Sequence, residues 1–287
     1  VTQQLESLIA RAEDLLIKLE ALLQPKSQLV NWNATAWRWK SINGVGELDV
    51  IAHPHQSRLD NIQFVDRQKA EIVRNTRQFL QGHTANNVLL TGARGTGKSS
   101  LIKALLTAFA AQGLRLIEVD KHDLADLPEI VNLINSRPEK FIIFCDDLTF
   151  ERNDTDYKAL KVVLDGSLAN VADKVLVYAT SNRKNLMPEL MVDNVATTNE
   201  DGEIRPNDAI EEKTALAERF GLWLSFYAFN QHEYLAIAAH WLTVFGVDFD
   251  EVAKKAALQF TYTRGARSGR VAYQFARDYA GKLQLHD

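Results

Sequence analysis

Gly92-Ala93-Arg94-Gly95-Thr96-Gly97-Lys98-Ser99-Ser100 is the stretch whose reading decides the fold. Before it stand Asn86, Asn87, the apolar run Val88-Leu89-Leu90 and Thr91. After it Leu101, Ile102, Ala104, Leu105, Leu106 and Ala108 recur at helical spacing. Strand, glycine loop, Lys-Ser and helix fill every fixed position of G-x-x-x-x-G-K-[ST], the pattern that cradles nucleotide phosphates. The loop glycines let the backbone curl around a β-phosphate with its N–H groups inward. The helix that follows adds unpaired first-turn donors and its positive end. Lys98 then reaches the β- and γ-phosphates and the Ser99 hydroxyl ligates Mg²⁺, with Ser100 as a small packing residue closing the loop. The plain alternative is a glycine-rich turn that merely joins a strand to a helix, and the complete motif in its proper context argues against it.

Outward from this loop, apolar runs predict strands over 88–91, 114–119, 141–145, 175–179 and 222–226. A short helix is expected over 128–135, and a longer helical run contains Ala70, Ile72, Val73, Thr76, Phe79 and Leu80, with Asp66 placed to cap it. Buried-looking strands separated by crossovers argue for a largely parallel α/β sheet. Ligands in such sheets collect at the carboxyl ends of strands. The candidates for chemistry therefore lie at the ends of the first, third and fourth strands.

The third strand ends in Asp146-Asp147. Asp146 stands where a carboxylate holds Mg²⁺, directly or through water, and Asp147 is the better choice to orient or deprotonate an attacking water. Thr149 and Glu151 are weaker reserves. Beyond the fourth strand come Thr180, Ser181 and Asn182. Asn182 is the candidate to align the water or contact the γ-phosphate, and loop-backbone bonding is its ordinary alternative. Arg219, in Glu218-Arg219-Phe220-Gly221, can donate to the charge developing in phosphoryl transfer, from the same or a neighbouring subunit. Among Arg264, Arg267 and Arg270, Arg270 is the first choice to report phosphate state to a lid and Arg267 the second. A solvated basic face is the competing account.

The remaining segments carry less chemistry. Residues 3–24 form an amphipathic pattern (Leu5, Leu8, Ile9, Ala12, Leu15, Leu16, Leu19, Leu22, Leu23) stopped by Pro25, for packing on its own domain or against a subunit. Trp32, Trp37 and Trp39 suggest a small satellite core rather than a ligand-stacking surface. His53 and His55 have metal-compatible spacing, but Pro54 separates them and no Cys or carboxylate cluster accompanies them, so they read as loop histidines. From about Gln231 three helical patterns follow, expected as a small helical lid. The organisation expected is therefore an N-terminal helix and aromatic extension over 1–55, an α/β nucleotide domain over 56–228 and a lid over 229–287.

At 287 residues and a formal net charge of −4, the chain gives no general argument for nucleic-acid binding, although a local basic patch remains open. No apolar run reaches membrane-span length and no secretory leader is visible, so a cytoplasmic location is expected. The single cysteine, Cys145, falls in an apolar run and reads as a buried small side chain. Asn182-Arg183-Lys184-Asn185 lacks the guanine-reading Asn-Lys-x-Asp pattern, which disfavours GTP.

The sequence also resembles the AAA+ ATPases, and more closely the DUF815 family, from about residue 59 to residue 281. The marks are GARGTGKSSL, FIIFCDDLTF, VYATSNRKNL, ERFGLWLSF and RSGRVAYQF. The resemblance implies a P-loop NTPase sheet of AAA+ type with strand order 5-1-4-3-2 and a C-terminal helical lid. It implies a nucleotide motif centred on Gly92, Gly97, Lys98 and Ser99, a magnesium role for Asp146 and a polar sensor at Asn182. It gives Arg219 the place of an intersubunit arginine finger and Arg270 that of the lid sensor. Asp147 occupies the position that active AAA+ enzymes usually fill with glutamate. Lys121-His122-Asp123-Leu124-Ala125 lacks the aromatic-hydrophobic-glycine pore signature of protein-threading relatives. The expectation is Mg²⁺-dependent ATP binding and hydrolysis in a homo-oligomer, coupled to remodelling or loading of an unknown protein partner. An ATP-controlled interaction protein with little hydrolysis and a nucleic-acid remodeller or loader are the alternatives.

Overall fold

The computed structural model describes residues 30–42, 45–54, 57–149, 157–165, 173–182 and 216–285. The amphipathic pattern over 3–24, together with Glu151 and His55, lies outside them. Seven strands form one sheet: β1 (Ala36–Ile42), β2 (Val45–Val50), β3 (Val88–Gly92), β4 (Leu114–Val119), β5 (Lys140–Cys145), β6 (Val175–Ser181) and β7 (Leu222–Phe226), in the order β2-β1-β4-β5-β6-β3-β7. The five strands expected from the apolar runs are β3 to β7, and their spatial order β7-β3-β6-β5-β4 is 5-1-4-3-2 in the numbering of that expectation. All their pairings are parallel.

The helices are α1 (Asp66–Leu80), α2 (Lys98–Phe109), α3 (Leu127–Asn135), α4 (Tyr157–Leu164), α5 (Gln231–Val244), α6 (Glu251–Arg264) and α7 (Gly269–Gln284). Side chains alternate along a strand, so each central strand feeds two cores. Val88, Leu90, Ile142, Phe144, Leu176 and Tyr178 face α1, α2 and the C-terminal helices. Leu89, Phe141, Ile143, Val175 and Val177 face α3 and α4. Burial on both faces is why these strands read as continuous apolar runs.

Three expectations meet the structure here, and two are corrected. Trp37 and Trp39 do not build a satellite core: they lie on β1, which joins the sheet parallel to β4, and both are buried in the α3–α4 layer. Trp37 packs near Trp32 and Phe141, while the Trp39 indole donates to Asp126 Oδ2 at 3.0 Å. β2 then pairs antiparallel with β1 as the edge strand. Asp66 is the first helical residue of α1 rather than its cap; Val65 holds the cap position and no side chain bonds there. Asp66 instead offers a first-turn carboxylate to the positive helix end. Cys145 is buried as expected, and burial pushes its thiol up to about 12, which makes it unreactive.

Two polar fixtures hold α1 and β3 in place. Asn75 on α1 donates to Asn86 O at 2.8 Å and to the Tyr178 hydroxyl at 3.0 Å, and accepts from Asn86 N at 3.0 Å. Thr76 bonds the same hydroxyl at 2.9 Å. Asn87 Oδ1 accepts from Val177 N at 2.8 Å, and the indole of Trp223 donates to Thr91 Oγ1 at 2.8 Å. Buried polar groups so satisfied fix the strand that leads into the glycine loop.

Candidate nucleotide site

β3 ends at Gly92, whose φ of 120° lies where L side chains are rare, and a Cβ there would stand 1.9 Å from Phe226 O. Ala93 N donates to that same carbonyl at 3.1 Å, so the loop begins pressed against β7. At Gly95 a Cβ would stand 2.7 Å from Ser268 Oγ, and Arg270 N donates to Gly95 O at 3.3 Å. Glycine is needed there because the start of α7 comes down onto the loop. Gly97 caps α2 with no side-chain hydrogen bond, which leaves the helix's positive end open to an anion. Thr96 closes the turn internally, donating to Ala93 O at 2.8 Å.

Lys98 is 5 % exposed. Its ammonium donates to Gly92 O and Ala93 O, each at 2.8 Å, and to Asn182 Oδ1 at 3.1 Å. Burial lowers its pKa, Asp147 and Asp146 oppose that shift, and Arg270 and Arg94 add to it. A cation held by neutral oxygens close to an open helix end favours an incoming polyanion.

The strand ends bring the acids together. Ser99 Oγ donates to Asp146 Oδ1 at 2.6 Å, and Thr180 Oγ1 donates to the same oxygen at 2.6 Å. Asp147 N donates to Thr180 Oγ1 at 2.9 Å, and Asn182 Nδ2 donates to Asp147 Oδ1 at 2.5 Å. Asp147 has φ 51°, a left-handed conformation that only a few non-glycine residues adopt. The P-loop, both acids and Asn182 thus meet at one point.

A cavity of about 720 Å³ opens over them. Its polar lining is Arg94 to Ser100, Asp146, Asp147, Thr180, Asn182 and Arg270, with Ser57, Arg58, Asn61 and Gln63. Its apolar lining is Ile62, Phe229, Ile237, Trp241, Phe245 and Tyr273, with Ile62 packed close to Gly97 and Phe229 close to Gly269. Trp241 meets Tyr273 edge-on at 4.8 Å and stacks near Phe245 at 6.3 Å. Loop donors and acids together with the aromatic group Trp241, Phe245 and Tyr273 in one cavity suit the two chemistries of a nucleotide.

Every loop residue expected at the site except Gly92 and Ala93 lines the cavity, and those two hold the Lys98 ammonium. Arg219 does not line it; its guanidinium donates to Asp165 Oδ1 at 2.6 Å just beyond α4. Arg264 stacks over Phe260 at 5.3 Å, and the lid arginine at the cavity is Arg270. The sequence reading missed the aromatic wall, because Trp241 and Phe245 one turn apart look like ordinary core. Thr180, two residues before Asn182, bonds both acids.

Among the described residues no group of three or more His, Cys, Asp or Glu gathers as a metal site. Ser99 and Asp146 still suit Mg²⁺: one hydroxyl and one carboxylate, both hard oxygens side by side, are what this ion takes when phosphates complete its shell. No helix among the described residues is long and apolar enough to cross a membrane.

A 5-1-4-3-2 parallel core, a G-x-x-x-x-G-K-S loop at its central strand and a C-terminal helical segment over the loop define a P-loop fold of AAA+ type. The chain belongs to the family described as "Protein of unknown function (DUF815)", whose pattern matches residues 32–283. No curated protein matches it. Among solved structures, a point variant of Thermotoga maritima RuvB is similar with a TM-score of 0.53 and 14% identity, covering 80% of this chain and 66% of that one. The AAA domain of FIGL-1 in complex with ADP is similar at 0.51 and 16%, covering 77% and 72%. A DNA replication initiation factor follows at 0.50 and 17%, covering 82% and 65%. The matched region is thus just under two thirds of the RuvB chain and of the replication factor. At these identities the likeness is one of fold.

Proposed function

We propose that this chain binds ATP with Mg²⁺ between its α/β part (56–228, extended by the β1–β2 hairpin) and its helical lid (229–287), and hydrolyses it as a homo-oligomer to remodel or load a protein partner. The observation that carries the reading is the continuous bond set Lys98–Asn182–Asp147–Thr180–Asp146–Ser99, in a cavity that also holds Trp241, Phe245 and Tyr273. Lys98 and the backbone amides of Gly92–Ser100 hold the phosphates. Ser99 and Asp146 hold Mg²⁺, which when bound neutralises phosphate charge and orients the γ-phosphate. Asp147 accepts the proton of the attacking water, and Asn182, already bonded to that carboxylate, aligns the two. Arg270 binds phosphate charge from the lid side. Arg219, outside its own chain's cavity, reaches the site of a neighbouring copy once it leaves Asp165. The aromatic wall takes the base. Among compartments the cytoplasm suits such a chain.

Turnover should therefore rise with protein concentration. Arg219→Ala should abolish turnover and keep ATP binding, and adding Asp147→Ala protein, which has an intact Arg219 but no base, should restore it partly. Equal turnover per chain at all concentrations, with Arg219→Ala fully active alone, would refute the assembled site. A second reading has one observation in its favour. Asn182 engages both Lys98 and the short carboxylate of Asp147, and a base so held fits slow hydrolysis in an ATP-controlled interaction protein. Tight ATP binding with no turnover in any assembly would select it.

A further inference from the structure

We propose that Thr180 is the positioning residue of this site: its single hydroxyl sets the rotamer of Asp146 and the backbone of Asp147 together. The proposal rests on the nucleotide reading above. The β5–β6 ladder runs in parallel register only as far as Cys145 opposite Ala179. Beyond that pair regular pairing stops, and the chain of β5 turns into the left-handed conformation at Asp147. Thr180 takes over from the ladder there. Its carbonyl accepts from Leu148 N at 2.6 Å, its hydroxyl oxygen accepts from Asp147 N at 2.9 Å, and its hydroxyl proton goes to Asp146 Oδ1 at 2.6 Å.

A threonine hydroxyl has one proton and two lone pairs, so both the donated and the accepted bond are available at once. The residue is 2 % exposed, and water offers its partners little substitute. The bond to Asp146 is a short bond to an ionised oxygen, the stronger class. It converges with the Ser99 hydroxyl on the same carboxylate oxygen, which fixes how Asp146 faces the loop. The bond to Asp147 N holds a strained backbone whose side chain must point at the water. Serine keeps both bonds; valine keeps the shape and loses both.

The experiment compares wild type, Thr180→Val and Thr180→Ser as full-length chains. Thermal unfolding confirms folding, and ATP binding is titrated with and without MgCl₂ before kcat and KM are measured. Thr180→Val should bind metal-free ATP within about threefold of wild type, yet need about 10–100-fold more Mg²⁺ to reach the tight complex. Its kcat should fall while KM for ATP at saturating Mg²⁺ holds, and Thr180→Ser should restore both properties. If Thr180→Val does not fold, Thr180→Cys, with a weakly bonding thiol of similar size, takes its place. A wild-type Mg²⁺ titration and kcat in Thr180→Val or Thr180→Cys, or a serine variant as impaired as valine, overturns the proposal while leaving the nucleotide reading intact. Failure of the wild type itself to bind any nucleotide overturns both.

Discussion

Removing one buried oxygen, by Tyr178→Phe, tests how the sheet holds the site. The Tyr178 hydroxyl is the meeting point of Asn75 and Thr76 on α1, and it lies two residues before Thr180 on the same strand. Phenylalanine keeps the ring and leaves no cavity, so the cost comes from one Asn75 donor left without a partner, about 1–3 kcal/mol for a buried group. That corresponds to a fall in Tm of about 2–4 °C per kcal/mol. The hydroxyl also carries a pH signal. Burial raises its pKa from 10.0 to about 12, with the bonds from Thr76 and Asn75 pulling the other way. Its folded pKa lies above the unfolded one, so the native state holds the proton longer. The associated stability is complete below pH 10, falls as the pH passes toward 12, and totals about 3 kcal/mol for two units. Urea unfolding of wild type and Tyr178→Phe at pH 7 and pH 11, followed by circular dichroism, reads both effects. The wild-type advantage should be largest at pH 7 and lose about half of that linkage term by pH 11. Tyr234 is raised to about 12 as well but is present in both proteins, so it drops out of the difference. A wild-type advantage unchanged between the two pH values, or no advantage at pH 7, would refute the reasoning.

Burial lowers the Lys98 pKa from 10.5, and phosphate charge opposes that shift, so nucleotide binding should move it back up. Calorimetric titration of ATP in buffers of different ionisation enthalpy should show proton uptake and weakening affinity as pH rises through the lowered pKa; uptake that persists in Lys98→Met would refute this. Gly92→Ala places a Cβ against Phe226 O at φ 120° and should cost more than about 2 kcal/mol in urea unfolding, together with most ATP affinity. A variant as stable as wild type would show that the loop is not pressed on β7. Trp241→Ala should lose about 1–3 kcal/mol of ATP affinity, the range of base–aromatic stacking, with inorganic triphosphate binding unchanged. Equal losses for both ligands would move the base elsewhere.

The legible parts of this molecule are those whose cause is local. The β4 and β7 spans, 114–119 and 222–226, coincide with the expected ones, and β3, β5 and β6 differ by one or two residues at an end. Burial on both faces makes such strands continuous apolar runs, and a phosphate loop must fit its glycines and lysine into the eight positions Gly92–Ser99. The hairpin was hidden by its aromatics. Trp37-Arg38-Trp39-Lys40 alternates with a period of two, buried tryptophans against exposed cations, yet three tryptophans together draw attention to composition instead of period. Asp66 misled because an acid just before a helical run serves equally as cap or first-turn charge, and only backbone geometry separates the two. Thr180 and Asp146 are 34 residues apart in sequence, so nothing local announces their bond.

The same contacts suggest how one loop can govern distant parts. Gly92 and Ala93 are fixed to Phe226 at the end of β7, the strand that follows Arg219 in the chain, and Gly95 is fixed to the first turn of α7, where Arg270 begins the lid helix. On the proposed reading, a bound phosphate would draw the Lys98 ammonium from the two loop carbonyls and Asn182, and so disturb the Asn182 hold on Asp147. On the proposed reading, phosphate arrival would be felt at three places through single hydrogen bonds: Asp147, the first turn of α7, and β7, the strand that follows Arg219 in the chain. Each bond is worth only about 0.5–1.5 kcal/mol net. That is enough to shift populations severalfold at each place and too little to lock any of them. If the proposed function holds, loop occupancy alone would bias α7 and β7 without committing them, and the remaining free energy would have to come from the proposed neighbouring subunit or partner. On that reading the proposed assembly, and not the loop by itself, would complete the switch.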